Sequence, residues 1–263
     1  MDLVQVEGWK RFPWLRHGFS TRLGGVSTIY GEGSLNLGWT NEDDPLAVAE
    51  NRRRLVHAVA AEDSASPLIT LRQTHSAVSH VVRTHSEPFV TEQGRALLDG
   101  DGLITKLPGV LLGIQTADCV PVMVVDVEKR VVAVFHAGWR GTVRNIVGEG
   151  VLRMISEFGS DPGGLVAAVG PSIGACCYKV GEEVQRSFRT HFSGSERLFN
   201  DGYLDLWEAN RLQLMRSGLA SSNVTVIAEC TGCAQTKTGA RKYFSHRIDK
   251  GITGRMMSIV GVV

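Results

Sequence analysis

At 263 residues the chain exceeds the commonest domain size, yet α/β folds of this length are often a single domain. Its 28 basic and 27 acidic residues leave a formal net charge of +1, so no affinity for nucleic acid or a membrane surface follows from bulk charge. Hydrophobic content of 43% supports a large core, and 30 glycines imply many tight turns.

The first stretch, MDLVQVEGWKRFPW, has no apolar leader core, and no run is long and apolar enough to span a bilayer. Five cysteines, with Cys176 and Cys177 adjacent, do not make a disulfide framework, so a reducing cytoplasm is expected. Nothing marks a linker or a repeat, and residues 1–263 read as one α/β domain.

In chain order, His17 to Ser27 (HGFSTRLGGVS) predicts a short strand running into a glycine turn. Arg22 and Ser27 there offer donors to an anion, since glycines admit backbone N–H groups and arginine presents a fork. Asp44-Pro45 opens a helix, with the acid as N-cap and proline in the first turn. Leu46, Val48, Ala49, Leu55, Val56 and Val59 form its apolar face, and Arg52 to Arg54 are expected on its solvated side. Two apolar runs, Leu68–Leu71 and Val78–Val82, flank RQTHS and place His75 in the bend between them. His80 and His85 have no ligand partner nearby. His85-Ser86-Glu87 matches half of a zinc deaminase signature, but its other half is missing. LDGDGL, Leu98 to Leu103, reads as a turn; Asp99, Asp101 and Asp118 together suit a divalent cation, although Asp-Gly pairs usually mark plain turns.

Val110–Ile114 leads into the most informative stretch, TADCVPVMVVDVEKRVVAVFHAGWRG. Val120–Val125 and Val131–Phe135 are β-branched runs joined by a hydrophilic turn, which predicts a hairpin. The hairpin brings Cys119 and His136 to one end of the sheet. A thiolate and an imidazole there suit a zinc ion, a cysteine nucleophile with its base, or a buried pair without chemistry. With His75 added, an N, S, N donor set leaves a fourth tetrahedral position for water, as in catalytic zinc sites. A multicopper centre consumes on the order of ten histidines, against eight in the whole chain.

After His136, Gly138, Trp139 and Gly141 predict a close turn, and a 3.6-residue period from Val143 predicts a helix to Phe158, with Arg140 beside its N-terminus. Leu165–Val169 and Val224–Ala228 read as strands, Val180–Phe192 and Leu206–Leu219 as helices, and Met256–Val263 as a last strand. Cys176 and Cys177 read as small core hydrophobes. Cys230-Thr-Gly-Cys233 is a single CxxC, which lacks a second pair at zinc-ribbon spacing and a thioredoxin-like βαβ context.

RQTHS, LDGDGLIT, TADCVPV, VFHAGWRGTV, GPSIGACCYKVG and SHRIDKGITGR, with GFSTRLGGVS at the front, together resemble the YfiH/YlmD family over essentially the whole chain. That family was formerly labelled polyphenol oxidase or laccase and was later assigned purine nucleoside phosphorylase activity. The resemblance implies a single domain of central mixed β-sheets flanked by helices, related to toxin deamidases that use a Cys–His pair. It implies zinc held by His75, Cys119 and His136. The implied reactions are phosphorolysis of adenosine, inosine, guanosine and S-methyl-5′-thioadenosine, together with adenosine deamination. Partners are then purine nucleosides and phosphate, with the chain a monomer or homodimer. Arg22, Ser27, Arg140 and Arg247 are expected to hold phosphate, and Asp118 to orient a ligand or move a proton. The tail departs from the family's SYRRDGxTGR: His246 replaces tyrosine, Ile248 stands where arginine is common, and one residue is inserted. On the residues alone, a metal-free Cys119–His136 hydrolase or amidase remains the alternative.

Overall fold

The computed structural model describes residues 1–60 and 66–263. Two mixed β-sheets pack face to face, and helices cover their outer faces. The first sheet has the order β1 (Leu3–Val4), β2 (Leu15–Ser20), β14 (Met256–Val262), β7 (Val110–Thr116) and β4 (Leu68–Ile69). The second runs β13 (Val224–Val226), β10 (Leu165–Val169), β8 (Val120–Asp126), β9 (Val131–Ala137), β6 (Gly102–Thr105) and β5 (Ser79–Val82).

Strand alternation divides each run between two cores. In β8 and β9, Met123, Val125, Val132 and Val134 meet Leu112, Ile114, Val260 and Val262 of the first sheet. Their neighbours Val122, Val124, Ala133 and Phe135 face outward onto α3 (Ile146–Phe158) and α5 (Leu206–Arg216). Both faces are covered, so the sequence is a continuous apolar run instead of an alternating one. On the other side, Leu55, Val56 and Val59 of α1 (Pro45–Ala60) pack on Leu111, Met257 and Ile259. Fully burying each of these side chains contributes roughly 1.5–3 kcal/mol, which holds the four layers together.

The expected hairpin is present, with Pro121 opposite His136 and Val120 opposite Ala137. Three residues, Ala117 to Cys119, carry the chain from β7 in one sheet to β8 in the other. Cys119 therefore stands at the seam between the sheets. His136 has the parity of Val132 and Val134, so it closes the end of the inter-sheet core.

Two expectations need correction. Arg52 is not solvated: it is 6% exposed and donates to the carbonyls of Leu37 (2.9 Å) and Gly94 (2.8 Å). It lies four residues after Val48 and four before Val56, on the apolar face, whereas Arg53 and Arg54 pair outside with Glu50. The close turn expected at Gly138 to Gly141 is helical: α2 (Trp139–Val143) stops before Asn145, whose φ of 61° is left-handed, and the helix expected from Val143 starts anew as α3 at Ile146.

Candidate metal centre

Three loop ends converge on one point. The metal-competent atoms of His75, Cys119 and His136 all lie within 4.8 Å of one another. Cys119 Sγ is 3.8 Å from His75 Nε2, and the two imidazole rings meet edge to face at 4.9 Å between centroids. Tetrahedral zinc, with Zn–S near 2.3 Å and Zn–N near 2.0–2.1 Å, separates sulfur and nitrogen by about 3.6 Å. The spacing therefore suits that ion without rearrangement.

Asp101 organises two of the three ligands. Its side chain accepts from the backbone N–H of Thr74 (3.2 Å), His75 (3.0 Å) and Ser76 (2.6 Å), and from the Ser76 hydroxyl (2.7 Å). These bonds hold His75 in a left-handed conformation, with φ 58°. Asp101 Oδ1 also lies 2.8 Å from His136 Nδ1. A carboxylate only accepts, so Nδ1 carries the proton and Nε2 is left free as a ligand atom. Gly138 completes the cradle, because a Cβ there would sit 2.8 Å from Cys119 Sγ and 3.0 Å from His75 Cδ2.

The electrostatics follow from this packing. Burial opposes ionisation of the Cys119 thiol, but the neighbouring His136 charge and hydrogen bonds with both histidines outweigh it and bring the pKa down to about 6. Burial likewise opposes charge on His136, yet the Cys119 thiolate and Asp101 raise it to about 9. Asp101 stays well below the usual carboxylate range: burial opposes its charge, and hydrogen bonds from His136 and Ser76 prevail. Both shifts favour a thiolate beside an imidazolium when no metal is bound, and a metal at Nε2 would replace the second ring proton.

The cluster faces a cavity of about 620 Å³ whose wall includes Trp39, Arg72, Arg95, Gln115, His246 and Arg255. The residues expected to hold phosphate are not on this wall. Ser27 is 1% exposed and its hydroxyl accepts from Asn51 (2.9 Å). Arg22 lies over the Phe244 ring and donates to the Tyr30 carbonyl. Arg140 stacks on Trp139 at 4.2 Å and approaches Glu183 at 3.7 Å. Arg247 donates to the Lys179 carbonyl (2.7 Å) and lies over Tyr178. None of these four lines the cavity.

Asp118 neighbours Cys119 but has both oxygens engaged, accepting from the Thr231 hydroxyl (2.6 Å) and the Arg247 backbone N–H (2.7 Å). It positions the seam and does not face the cavity. Asp99, Asp101 and Asp118 form no joint cation site, since Asp99 pairs outside with Arg72 and the other two have the partners above.

Sequence reasoning missed Asp101 as the organising carboxylate, because Asp-Gly pairs read as turns. It also missed the cavity arginines, although Arg72 opens RQTHS and Arg255 closes ITGR.

Known proteins resemble this chain over most of its length. The profile of a family described as multi-copper polyphenol oxidoreductase laccase matches residues 16–263. The purine nucleoside phosphorylase YlmD of Geobacillus stearothermophilus is 36% identical over 94% of each chain. A protein named adenosine deaminase RL5, from an unknown prokaryotic organism, is 34% identical over 83% of this chain and 85% of its own. The crystal structure of YfiH from Bacillus licheniformis superposes with a TM-score of 0.88 at 31% identity, covering 99% of this chain and 96% of that one.

Proposed function

The chain belongs to the YfiH family, and from that membership and the geometry of the cluster we propose that it is a zinc-dependent purine nucleoside phosphorylase. The observation that carries this reading is the convergence of His75, Cys119 and His136 on the wall of an arginine-bearing cavity. Adenosine, inosine, guanosine and S-methyl-5′-thioadenosine are the substrates expected to enter it.

The several coppers in the family's description need more donors than this chain supplies. Of eight histidines only two belong to the cluster. His17 accepts from the Val6 N–H, His80 is bonded to the Asp99 carbonyl, and His191 to that of Ser187. The ligand types and the 3.8 Å sulfur–nitrogen separation favour one zinc ion. When bound, zinc supplies Lewis acidity and lowers the pKa of water.

The chain's own residues supply position and charge. In phosphorolysis a phosphate oxygen bonds to C1′ as the C1′–N9 bond breaks, and the electron pair leaves with the purine, which takes up a proton. Arg95 and Arg255 are assigned to the phosphate, because they line the cavity and arginine matches phosphate with paired donors, whereas Arg72 on the same wall is paired with Asp99. Arg95 is steadied over the Trp39 ring at 4.8 Å, and Arg255 by bonds to the Thr253 and Gly254 carbonyls. Such fixed donors hold nucleophile and sugar in line, where orientation contributes most to rate. The same cavity serves hydrolytic deamination of adenosine, in which water adds at C6 and ammonia leaves.

A second reading is a metal-free hydrolase with Cys119 as nucleophile, His136 as base and Asp101 orienting it. The thiol pKa of about 6 favours it. Purified protein incubated with inosine, with and without phosphate, decides the matter. Hypoxanthine and ribose 1-phosphate formed only with phosphate, abolished by chelator and restored by zinc, support the phosphorylase. Absence of both products overturns it, and activity on an amide that survives chelator but not thiol alkylation establishes the hydrolase.

A further inference from the structure

Cys176, Cys177, Cys230 and Cys233 meet in one cluster, and we propose that they form a second, structural metal site for zinc or another thiophilic d10 cation. All four sulfurs lie within 4.8 Å of one another, and Cys176 Sγ is 3.6 Å from Cys233 Sγ. Four sulfurs around tetrahedral zinc, each near 2.3 Å from the metal, stand about 3.8 Å apart. A disulfide would need its sulfurs at about 2.05 Å. The observed spacing therefore belongs to a set of ligands around a shared centre.

Local structure is wound to present these sulfurs. The CxxC segment turns on the Cys230 carbonyl, which accepts from the N–H of Cys233 (3.3 Å) and Ala234 (2.8 Å). Opposite it, the Gly174 carbonyl accepts from Cys177 (2.9 Å) and Tyr178 (3.0 Å). Gly232 is required by close approach: a Cβ there would lie 3.0 Å from Cys177 Cβ and 3.2 Å from its sulfur. Cys230 Sγ accepts the backbone N–H of Gly174 at 3.2 Å, a donor of the kind that stabilises metal thiolates.

Charge supports the same assignment. Burial opposes ionisation of Cys176, Cys177 and Cys230, yet backbone and thiol donors pull Cys230 below its ordinary pKa. Burial and hydrogen bonds with Cys230 and Cys233 push Cys176 up to about 11, and Cys177 rises further for the same reasons. A divalent cation at the centre would let the thiols release their protons to solvent.

None of the four cysteines lines the cavity, and four thiolates fill a tetrahedral shell, so this site is a staple and not a second reaction centre. It joins the loop after β10 to the loop after β13, which already meet through the Ser172–Cys230 bridge. Thr231, inside the CxxC, donates to Asp118, the neighbour of Cys119. The staple thus steadies the seam that carries the first cluster, although its occupancy does not depend on the proposed reaction.

The test is metal content and ligand identity in the full chain, expressed with zinc supplied. Two zinc ions per chain are expected, falling to one in His75→Ala and to one in the Cys230→Ser, Cys233→Ser double variant. Cobalt loaded into His75→Ala should show an intense thiolate-to-cobalt charge-transfer band and the visible bands of a tetrahedral tetrathiolate. Should the double variant not fold, alkylation of the wild type decides: all four cysteines resist it with metal bound and react after chelation. One zinc per wild-type chain that is lost in His75→Ala and kept in the Cys230→Ser, Cys233→Ser double variant overturns the proposal. So does a mass lower by two hydrogens, localised to these cysteines, in protein whose thiols were blocked at lysis.

Discussion

The two cysteine-bearing clusters are built from similar parts and differ in what surrounds them. At the seam between the sheets, two imidazoles and one sulfur face a cavity, and a buried carboxylate fixes the tautomer of one ring. At the loops after β10 and β13, four sulfurs face one another, with the Gly174 N–H donating to one of them, and none lines that cavity. Three ligands and an open side suit a reaction, whereas four ligands and none suit a staple. The number of donors and the access to them, more than the presence of cysteine, separate the two roles.

The largest contrast should come from His75→Ala, which removes a ligand from the open cluster only. Lewis-acid assistance contributes several kcal/mol, so phosphorolysis should fall by about a thousandfold or more. Thermal unfolding should shift little, because the four-sulfur site is untouched. A variant that loses activity and fold together would show the two clusters to be one structural unit.

Acid should separate metal loss from the fold's own sensitivity. His17 is remote from both clusters, buried, and accepts the Val6 N–H at 3.0 Å, so its ring is neutral in the folded chain. Burial lowers its pKa from 6.5 to about 4. The unfolded chain therefore binds the extra proton between those values. Stability is fully present above pH 6.5 and declines as pH falls toward 4, by about 3 kcal/mol in all. Denaturant titrations of metal-free protein at pH 7, 5.5 and 4 should follow that slope. A flat profile removes His17 from the account and leaves acid inactivation to the metal ligands.

Asp101→Asn keeps the size of the organising side chain and removes its charge. The neutral amide no longer stabilises charge on His136, and in one orientation it presents N–H to Nδ1–H. Metal affinity or turnover should fall roughly 10–100-fold, read by zinc titration and initial rates. An unchanged rate would confine Asp101 to shaping the His75 loop.

The smallest effect should come from Thr231→Val, which cuts the one side-chain bond described between the CxxC loop and Asp118. Leaving one Asp118 oxygen short of a donor costs about 1–3 kcal/mol in thermal or chemical stability. A modest fall in activity with zinc content unchanged would mean the staple acts on the seam. Unchanged activity would leave the two clusters mechanically independent.

Much of this was legible in the linear chain wherever the signal was local. The β8–β9 hairpin announced itself through two β-branched runs and a charged turn, and its pairing placed Cys119 and His136 together. His75 was a candidate from its place in a bend between two apolar runs, and the family resemblance joined it to the pair, since it lies 44 residues before Cys119 and no spacing rule links them. Asp101 was hidden by its setting: the glycines beside it signal a turn, while its partners come from a loop 25–27 residues earlier and a strand 35 residues later. Arg52 was misplaced because three consecutive arginines read as solvated, although only the helix period decides which one points inward. Arg22 and Ser27 had the right donors for phosphate, but folding gave them partners of their own.

By itself the sequence determined the elements, the two-faced apolar strands and the family, because these rest on near-neighbour periodicity and on whole motifs. Only the tertiary structure decided which polar groups share a centre. Cys176 and Cys233 are 57 residues apart, and neither pair of cysteines makes a complete site alone. Their meeting depends on how two loops at the end of a sheet are brought together, and no local pattern in the chain encodes that distance.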